Sequence, residues 1–396
     1  MAVLFVFFGM ALLIAWAAID LVFGMKKQKQ QTKKETKRRY SSLKLFCEGG
    51  QFFEHFFADI EQATHHLHIQ FFIVKDDDIG KKLVGRLIDK SKQGVEVRLL
   101  IDFIGCKLKR KSLKKLKEAG VIVAKSYVPK WPRFFFTLNR RNHRKVAVID
   151  GKVGYLGGFN VGDEYLGRDI NIGYWRDYHL RIEGDGVQDL QAQFLSDWQE
   201  ATKTKLHSDV YFPPLQKGNS PVEILPTNGM FLEESWLGLI SQAKSTLYIA
   251  TPYFIPGEKL HREIIAAARR GVKVKLLVPK LANHILVKEA GYPYFQELLK
   301  ENVLIYLYYR GFFHGKIIAV DGQICDIGTA NFDKRSLHMN HEINCLIYDE
   351  AFIKHVLQQL NNDIAISELL TLESYENRSL FFKTKEKIAT TLSPFL

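Results

Sequence analysis

Apolar and polar positions alternate differently in three parts of the chain. Residues 2–24 form an apolar run broken by one charge, Asp20. As a helix it covers about 35 Å, enough to cross a bilayer core of about 30 Å. Further on, "THHLHIQFFIV" (64–74) and "KSTLYIATPYFI" (244–255) are apolar runs rich in strand formers. Each leads into a pattern of helical period: Ile79, Leu83, Val84, Leu87 and Ile88 in the first, Leu260, Ile264, Ile265 and Ala268 in the second. Each helix is expected to end on a glycine, Gly94 or Gly271, and "GVEVRLLID" and "GVKVKLLVP" then read as buried strands. Gly271 follows Gly94 by 177 positions. Strands alternating with helices, met twice at one offset, predict an α/β fold of two duplicated halves, each a mixed β-sheet flanked by helices.

The Pro-, Gly- and Ser-rich stretch "SDVYFPPLQKGNSP" (208–221) marks the boundary between halves. The expected organisation is a transmembrane anchor over 1–25, a basic juxtamembrane linker over 26–44, a first half over 45–215 and a second over 216–396.

Charge sharpens the view of the amino-terminal part. The formal net charge is +13, and residues 26–44 hold nine Lys and Arg against Glu35, so this linker supplies +8 of it. Nothing basic precedes the apolar run, which argues against a cleaved signal peptide and for a retained single-pass anchor. The positive-inside rule places the amino end outside and the bulk of the protein in the cytoplasm. Juxtamembrane Lys and Arg suit anionic lipid, and a plain stop-transfer signal explains them equally. Cys47, Cys106, Cys325 and Cys345 are scattered with no metal-ligand spacing, as in a reduced compartment without structural zinc.

The chemistry lies in a second repeated feature. "NHRKVAVIDGKVGYLGGFN" (142–160) and "FFHGKIIAVDGQICDIGTANFD" (312–333) share one skeleton, with His314 171 positions after His143. Residues i and i+2 of a strand share a face, so His143 with Lys145, and His314 with Lys316, point the same way. An ammonium beside an imidazole is costly to bury unless both meet an anion. The small residues ending in Asn160 and Asn331 let backbone and amide approach such a ligand. If the halves face each other, two His, two Lys and two Asn surround one phosphate. Two histidines serve a two-step phosphoryl transfer, one as nucleophile and one as proton donor and acceptor. Lysines and amides would stabilise the non-bridging oxygens, and the chemistry calls for no metal or cofactor.

These strings resemble the paired HxK(x)4D(x)6GxxN signatures of the phospholipase D superfamily. With the anchor, "TPYFIP" (251–256), "YWRDYHLRI" (174–182) and "NFDKRSLHMNHEIN" (331–344), the chain is similar to bacterial cardiolipin synthases. The likeness covers roughly 45–396; many relatives carry two amino-terminal spans where this chain carries one. The resemblance implies a catalytic set of His143, Lys145, Asp150, His314, Lys316 and Asp321. It gives the histidines the nucleophile and acid/base roles. Phosphate binding falls to the lysines with Asn160 and Asn331, and Asp150 and Asp321 fix the turn beneath the site. In the family an acidic residue beyond each motif orients its histidine; Glu342, beyond His314, and Asp177, beyond His143, match. The implied reaction joins two phosphatidylglycerols into cardiolipin and glycerol, with anionic membrane lipids as partners and no nucleic acid.

The rival readings are another phosphodiesterase on the same chemistry, whether lipid hydrolase or nuclease, and a catalytically dead lipid-binding scaffold. The anchor argues against a nuclease, and two intact motifs argue against the scaffold. The basic stretch 107–117 reads as a solvated helix face or a lipid contact, and "WPRFFF" (131–136) as a packed loop or a membrane-inserting one. His65, His66, His68, His338 and His341 are read as ordinary surface or core histidines.

Overall fold

The computed structural model describes residues 2–28, 33, 35–170, 172–281 and 286–392. Both amphipathic patterns are helices, Asp78–Lys92 and Gly257–Arg269, and both following glycines adopt positive φ, +89° at Gly94 and +90° at Gly271. This left-handed position after a helix is one that glycine occupies without steric cost.

The strands join into one mixed sheet whose order repeats outward from its centre. At the centre, Arg39–Glu48 pairs antiparallel with Ser220–Asn228, Ser41 opposite Ser220. From Arg39–Glu48 outward come Trp175–Gly184, Val153–Gly157, Val146–Ile149, His66–Phe71, Glu96–Asp102 and Ile122–Ser126. From Ser220–Asn228 outward come His341–Ile347, Ile324–Gly328, Ile317–Val320, Thr246–Ala250, Lys273–Pro279 and Leu304–Tyr308, with Ser367–Leu370 added at the edge. The outer three strands of each series run parallel, as βαβ units require, and the inner ones antiparallel.

Helices cover both faces. Gly49–Gln62 and Asp78–Lys92 pack Phe52, Phe56, Leu83 and Leu87 against one series, and Leu232–Ser241 and Gly257–Arg269 pack Trp236, Leu260 and Ile264 against the other. On the opposite face, Gly186–Thr202 and Glu350–Ala365 contribute Val187, Leu190, Ile353 and Val356 to a core that spans the central strands.

Two boundaries differ from the sequence reading. The first helix, Ala2–Gln28, continues past residue 25, and the strand Arg39–Glu48 begins inside the stretch read as linker. The basic residues there have structural partners, with Arg39 2.6 Å from Asp189 and Arg38 3.4 Å from Glu223. Composition alone read this segment as a basic juxtamembrane linker. Pairing on both edges makes it the central strand. Residues 29–32 and 34 of the linker lie outside the described residues. Among those described, Phe7–Lys26 is long and apolar enough to cross a membrane.

Candidate active site

Each motif is a strand, a tight turn and a returning strand. In both turns the Asp-Gly pair takes positive φ, 53° and 66° at Asp150 and Gly151, 54° and 69° at Asp321 and Gly322. Lys152 N–H donates to the Ile149 carbonyl at 2.9 Å, and Gln323 N–H to that of Val320 at 2.9 Å. Two successive left-handed residues closed in this way form the hairpin turn that Asp-Gly favours. The carboxylates then reach sideways. Asp150 accepts from the amides of Thr64, His65 and His66 at 2.8–2.9 Å, and Asp321 from those of Lys244, Ser245 and Thr246 at 2.8 Å. Burial raises the Asp321 carboxyl, but these amides outweigh it and hold it at about 2. Neither aspartate lines the cleft described next, so both act as turn fasteners.

At the other end of these hairpins lies a cleft of about 780 Å³ lined by His143, Asn160, His314 and Asn331 together. Lys145 and Lys316 are buried beneath the histidines. The Lys145 ammonium donates to the His143 carbonyl at 2.7 Å; that of Lys316 contacts the His314 carbonyl and lies 2.8 Å from its Nδ1. Burial pushes the two ammonium groups down to about 7 and about 8. Asn160 Oδ1 accepts from Ile73 N–H at 3.0 Å, and Asn331 Oδ1 has no hydrogen-bond partner among the described residues.

The carboxylates are exchanged between halves. Glu342 lies 2.9 Å from Nδ1 of His143, and Asp177 lies 2.5 Å from Nδ1 of His314. The sequence reading matched each acid to the histidine of its own motif; the structure matches it to the other. Backbone pairing explains the exchange. His143 N–H donates to the His341 carbonyl at 2.9 Å, and His314 N–H to the Arg176 carbonyl at 2.7 Å. Each histidine therefore begins beside the strand of the opposite half, and the next residue of that strand is the acid.

Both acids are fully enclosed. Glu342 also accepts from Thr329 Oγ1 at 2.6 Å and Ser336 Oγ at 2.9 Å, and Asp177 from Tyr178 N–H at 2.8 Å. Burial raises each carboxyl, but the charge and hydrogen bonds of its neighbours prevail, Lys316 and His314 at Asp177, His143 and Lys145 at Glu342, and hold both below their ordinary values. Burial likewise lowers His143 and, with Lys316, pushes His314 down to about 3. With Nδ1 directed at a carboxylate, the Nε2 of each ring is the nitrogen left for a ligand.

Further residues line the cleft that sequence reading did not assign. Phe72 meets the His143 ring edge-on at 5.0 Å, and Trp175 lies 4.9 Å from the His314 ring. Arg141, Arg335 and Lys75 bring positive charge to the walls. Arg335 had a visible signal, four residues beyond Asn331 in "NFDKRS", whereas Arg141 is aligned by contacts distant in sequence, with Asp102 at 3.2 Å and with the Tyr127 carbonyl at 2.9 Å. His341 is a buried histidine, as read from the sequence, and the Tyr127 hydroxyl lies 2.6 Å from its Nδ1.

Known proteins resemble this chain in sequence and in fold. The family model described as "Cardiolipin synthase, PLD-like domain" matches residues 56–198 and 237–364. The minor cardiolipin synthase ClsB of Bacillus subtilis is 44% identical over 360 residues, 91% of this chain and 90% of that one. A cardiolipin synthase of Oceanobacillus iheyensis is 40% identical over 363 residues, 90% of this chain and 75% of its own. Among solved structures, the phosphatidylserine synthase of Haemophilus influenzae superimposes with a TM-score of 0.72 at 14% identity, covering 93% of this chain and 97% of that one. That last likeness concerns the fold.

Proposed function

The chain belongs to the cardiolipin synthases of the phospholipase D superfamily, and on that premise we propose that its paired histidines transfer a phosphatidyl group between two phosphatidylglycerols. The observation that carries the reading is one cleft lined by two histidines, each held through Nδ1 by a buried carboxylate.

In the first step Nε2 of one histidine attacks phosphorus, the bond from phosphorus to the headgroup glycerol oxygen breaks, and the other histidine gives that oxygen its proton. Glycerol leaves and a phosphatidyl-histidine remains. In the second step the now neutral histidine takes the proton of a primary hydroxyl on a second phosphatidylglycerol. That oxygen attacks phosphorus, the phosphorus–nitrogen bond breaks, and cardiolipin forms. Lys145, Lys316, Asn160 and Asn331 stabilise charge on the non-bridging oxygens. Phosphate entering the cleft favours the ammonium form of both lysines. Glu342 and Asp177 hold the rings in the tautomer that frees Nε2 and stabilise each imidazolium as it forms.

The helix Ala2–Gln28 anchors the enzyme in the membrane, with the catalytic part on the cytoplasmic side, where its acceptor is concentrated. The test is a product assay on vesicles of labelled phosphatidylglycerol without added metal. Wild type is expected to yield cardiolipin and glycerol, and His143→Ala and His314→Ala neither. Phosphatidic acid as the sole product would make water the acceptor and refute the synthase reading.

A further inference from the structure

The amino-terminal helix is docked on the catalytic part. Gln28 Nε2 donates to the carbonyls of Gly229 at 2.7 Å and His338 at 3.0 Å. Asp20, the one acid in the apolar run, is buried and accepts from Phe136 N–H at 2.9 Å. One turn further, the Trp16 ring lies 5.1 Å from Trp131 and 4.6 Å from Phe135. The short helix Phe134–Asn139 is thus held from one side by the apolar helix. From the other side it is held by Arg335, a cleft-lining residue whose Nη2 donates to the Asn139 carbonyl at 2.8 Å.

Exposed apolar side chains stand on four separate segments that adjoin or contact residues lining the cleft. Trp131 is 73% exposed and Phe134 37% on the segment just described. Ile170, 95% exposed, lies two residues from the cleft-lining Ile172, and Leu281, 47% exposed, lines an apolar groove that shares Tyr253 and Val287 with the cleft. Phe103 and Ile104, 39% and 40% exposed, precede Gly105, which packs against the backbone of the cleft-lining Phe72. Water does not favour so many large apolar groups around one opening. Exposed basic residues stand close by in the chain: Lys107 and Arg110 after Ile104, Lys130 before Trp131, and Arg168 before Ile170.

We propose that this rim is sunk in the near leaflet of the bilayer, so that the catalytic cleft opens among the lipids rather than into water. The inference rests on the reading that the substrate is a membrane lipid, and it adds which face meets the membrane and how deeply. The helix sets the depth. Trp16 precedes Lys26 by ten residues, about 15 Å of helix, half of a core about 30 Å thick. With Lys26 at the interface, side chains touching Trp16 lie below the headgroups, and tilt makes them shallower. The occupant of the rim is the bilayer because the helix packed against it is apolar on its free sides as well, and one medium covers both. The basic residues then stand at headgroup level, where anionic lipid attracts them.

The experiment uses the full chain in phosphatidylglycerol vesicles, in a Cys106→Ser background, with a fluorophore on Trp131→Cys, Ile170→Cys or, at the far end of the hairpin, Lys152→Cys. Labels at 131 and 170 are expected to be quenched at least threefold more by nitroxide on lipid acyl chains than by aqueous iodide, and the label at 152 by iodide alone. Iodide quenching at all three sites overturns the proposal, whatever the enzyme's substrate is. In parallel, Ile170→Glu with Leu281→Glu is expected to lower turnover of vesicle phosphatidylglycerol at least tenfold. Turnover of monomeric short-chain phosphatidylglycerol should stay within twofold, which also reports an intact fold. Equal loss on both substrates counts against a membrane-facing rim. No turnover of either substrate by wild type would instead refute the reaction, leaving the quenching result to stand by itself.

Discussion

Replacing Glu342 by Gln tests the exchanged pairing directly. The carboxylate lies 2.9 Å from His143 Nδ1 and is 1% exposed, so water screens the contact poorly. Two unit charges about 4 Å apart at an effective dielectric of about 20 attract by about 4 kcal/mol, equivalent to about a thousandfold in rate. The amide keeps an acceptor for Nδ1–H, and the two hydroxyls, Thr329 Oγ1 at one carboxylate oxygen and Ser336 Oγ at the other, remain within reach of its terminal atoms. Part of the ring alignment is therefore retained, and the expected loss in kcat is about 100- to 1000-fold. The assay pairs cardiolipin formation on phosphatidylglycerol vesicles with nitrogen-15 spectra of labelled histidines in the detergent-solubilised enzyme. Glu342→Gln is expected to move the His143 ring signals and leave those of His314 in place, and Asp177→Asn to do the reverse. Movement of His314 signals by Glu342→Gln would refute the exchange. A loss under threefold with His143 correctly perturbed would refute the electrostatic argument.

Two further outcomes follow from the buried cations and the turn aspartates. Burial holds Lys145 at about 7 and Lys316 at about 8 in the free enzyme, so their charge is present below these values and is lost as pH rises through 7 to 8. The kcat/KM profile should fall over that range while the limb in kcat moves higher, because bound phosphate favours the ammonium; a flat kcat/KM from about pH 6.5 to 9 would refute this. Asp321→Ala should lower unfolding stability by about 2–4 kcal/mol, through lost hydrogen bonds to a carboxylate and a left-handed position unsuited to alanine. Because the folded-state value is depressed from 3.8 to about 2, that advantage is present above pH 4 and fades as pH falls toward 2. Denaturant unfolding of wild type and variant at pH 7 and pH 3 measures both.

Much of this protein was legible in one dimension because its determinants are local. The helical period of Ile79, Leu83 and Leu87, the glycines at 94 and 271, and the His-x-Lys spacing on a strand each depend on neighbours within a few residues. Repetition at offsets of 171 and 177 identified the paired motifs, since chance does not duplicate two landmarks at nearly one spacing. The strand Arg39–Glu48 escaped because its basic residues resemble a juxtamembrane linker, and what makes it central is pairing with residues 175–184 and 220–228, far along the chain.

The exchange of carboxylates is the clearest case of what tertiary structure alone decides. The sequence determined which residue types carry the chemistry: two histidines, two lysines and an acid beyond each motif. Sequence order then places Glu342 nearer His314 than His143, and proximity along the chain suggests a partnership. The fold sets partnership by sheet register: His143 hydrogen-bonds to His341 and His314 to Arg176, so each acid meets the ring of the opposite half. Such backbone pairing brings together side chains 199 and 137 residues apart, separations over which a chain read from end to end carries no geometric signal.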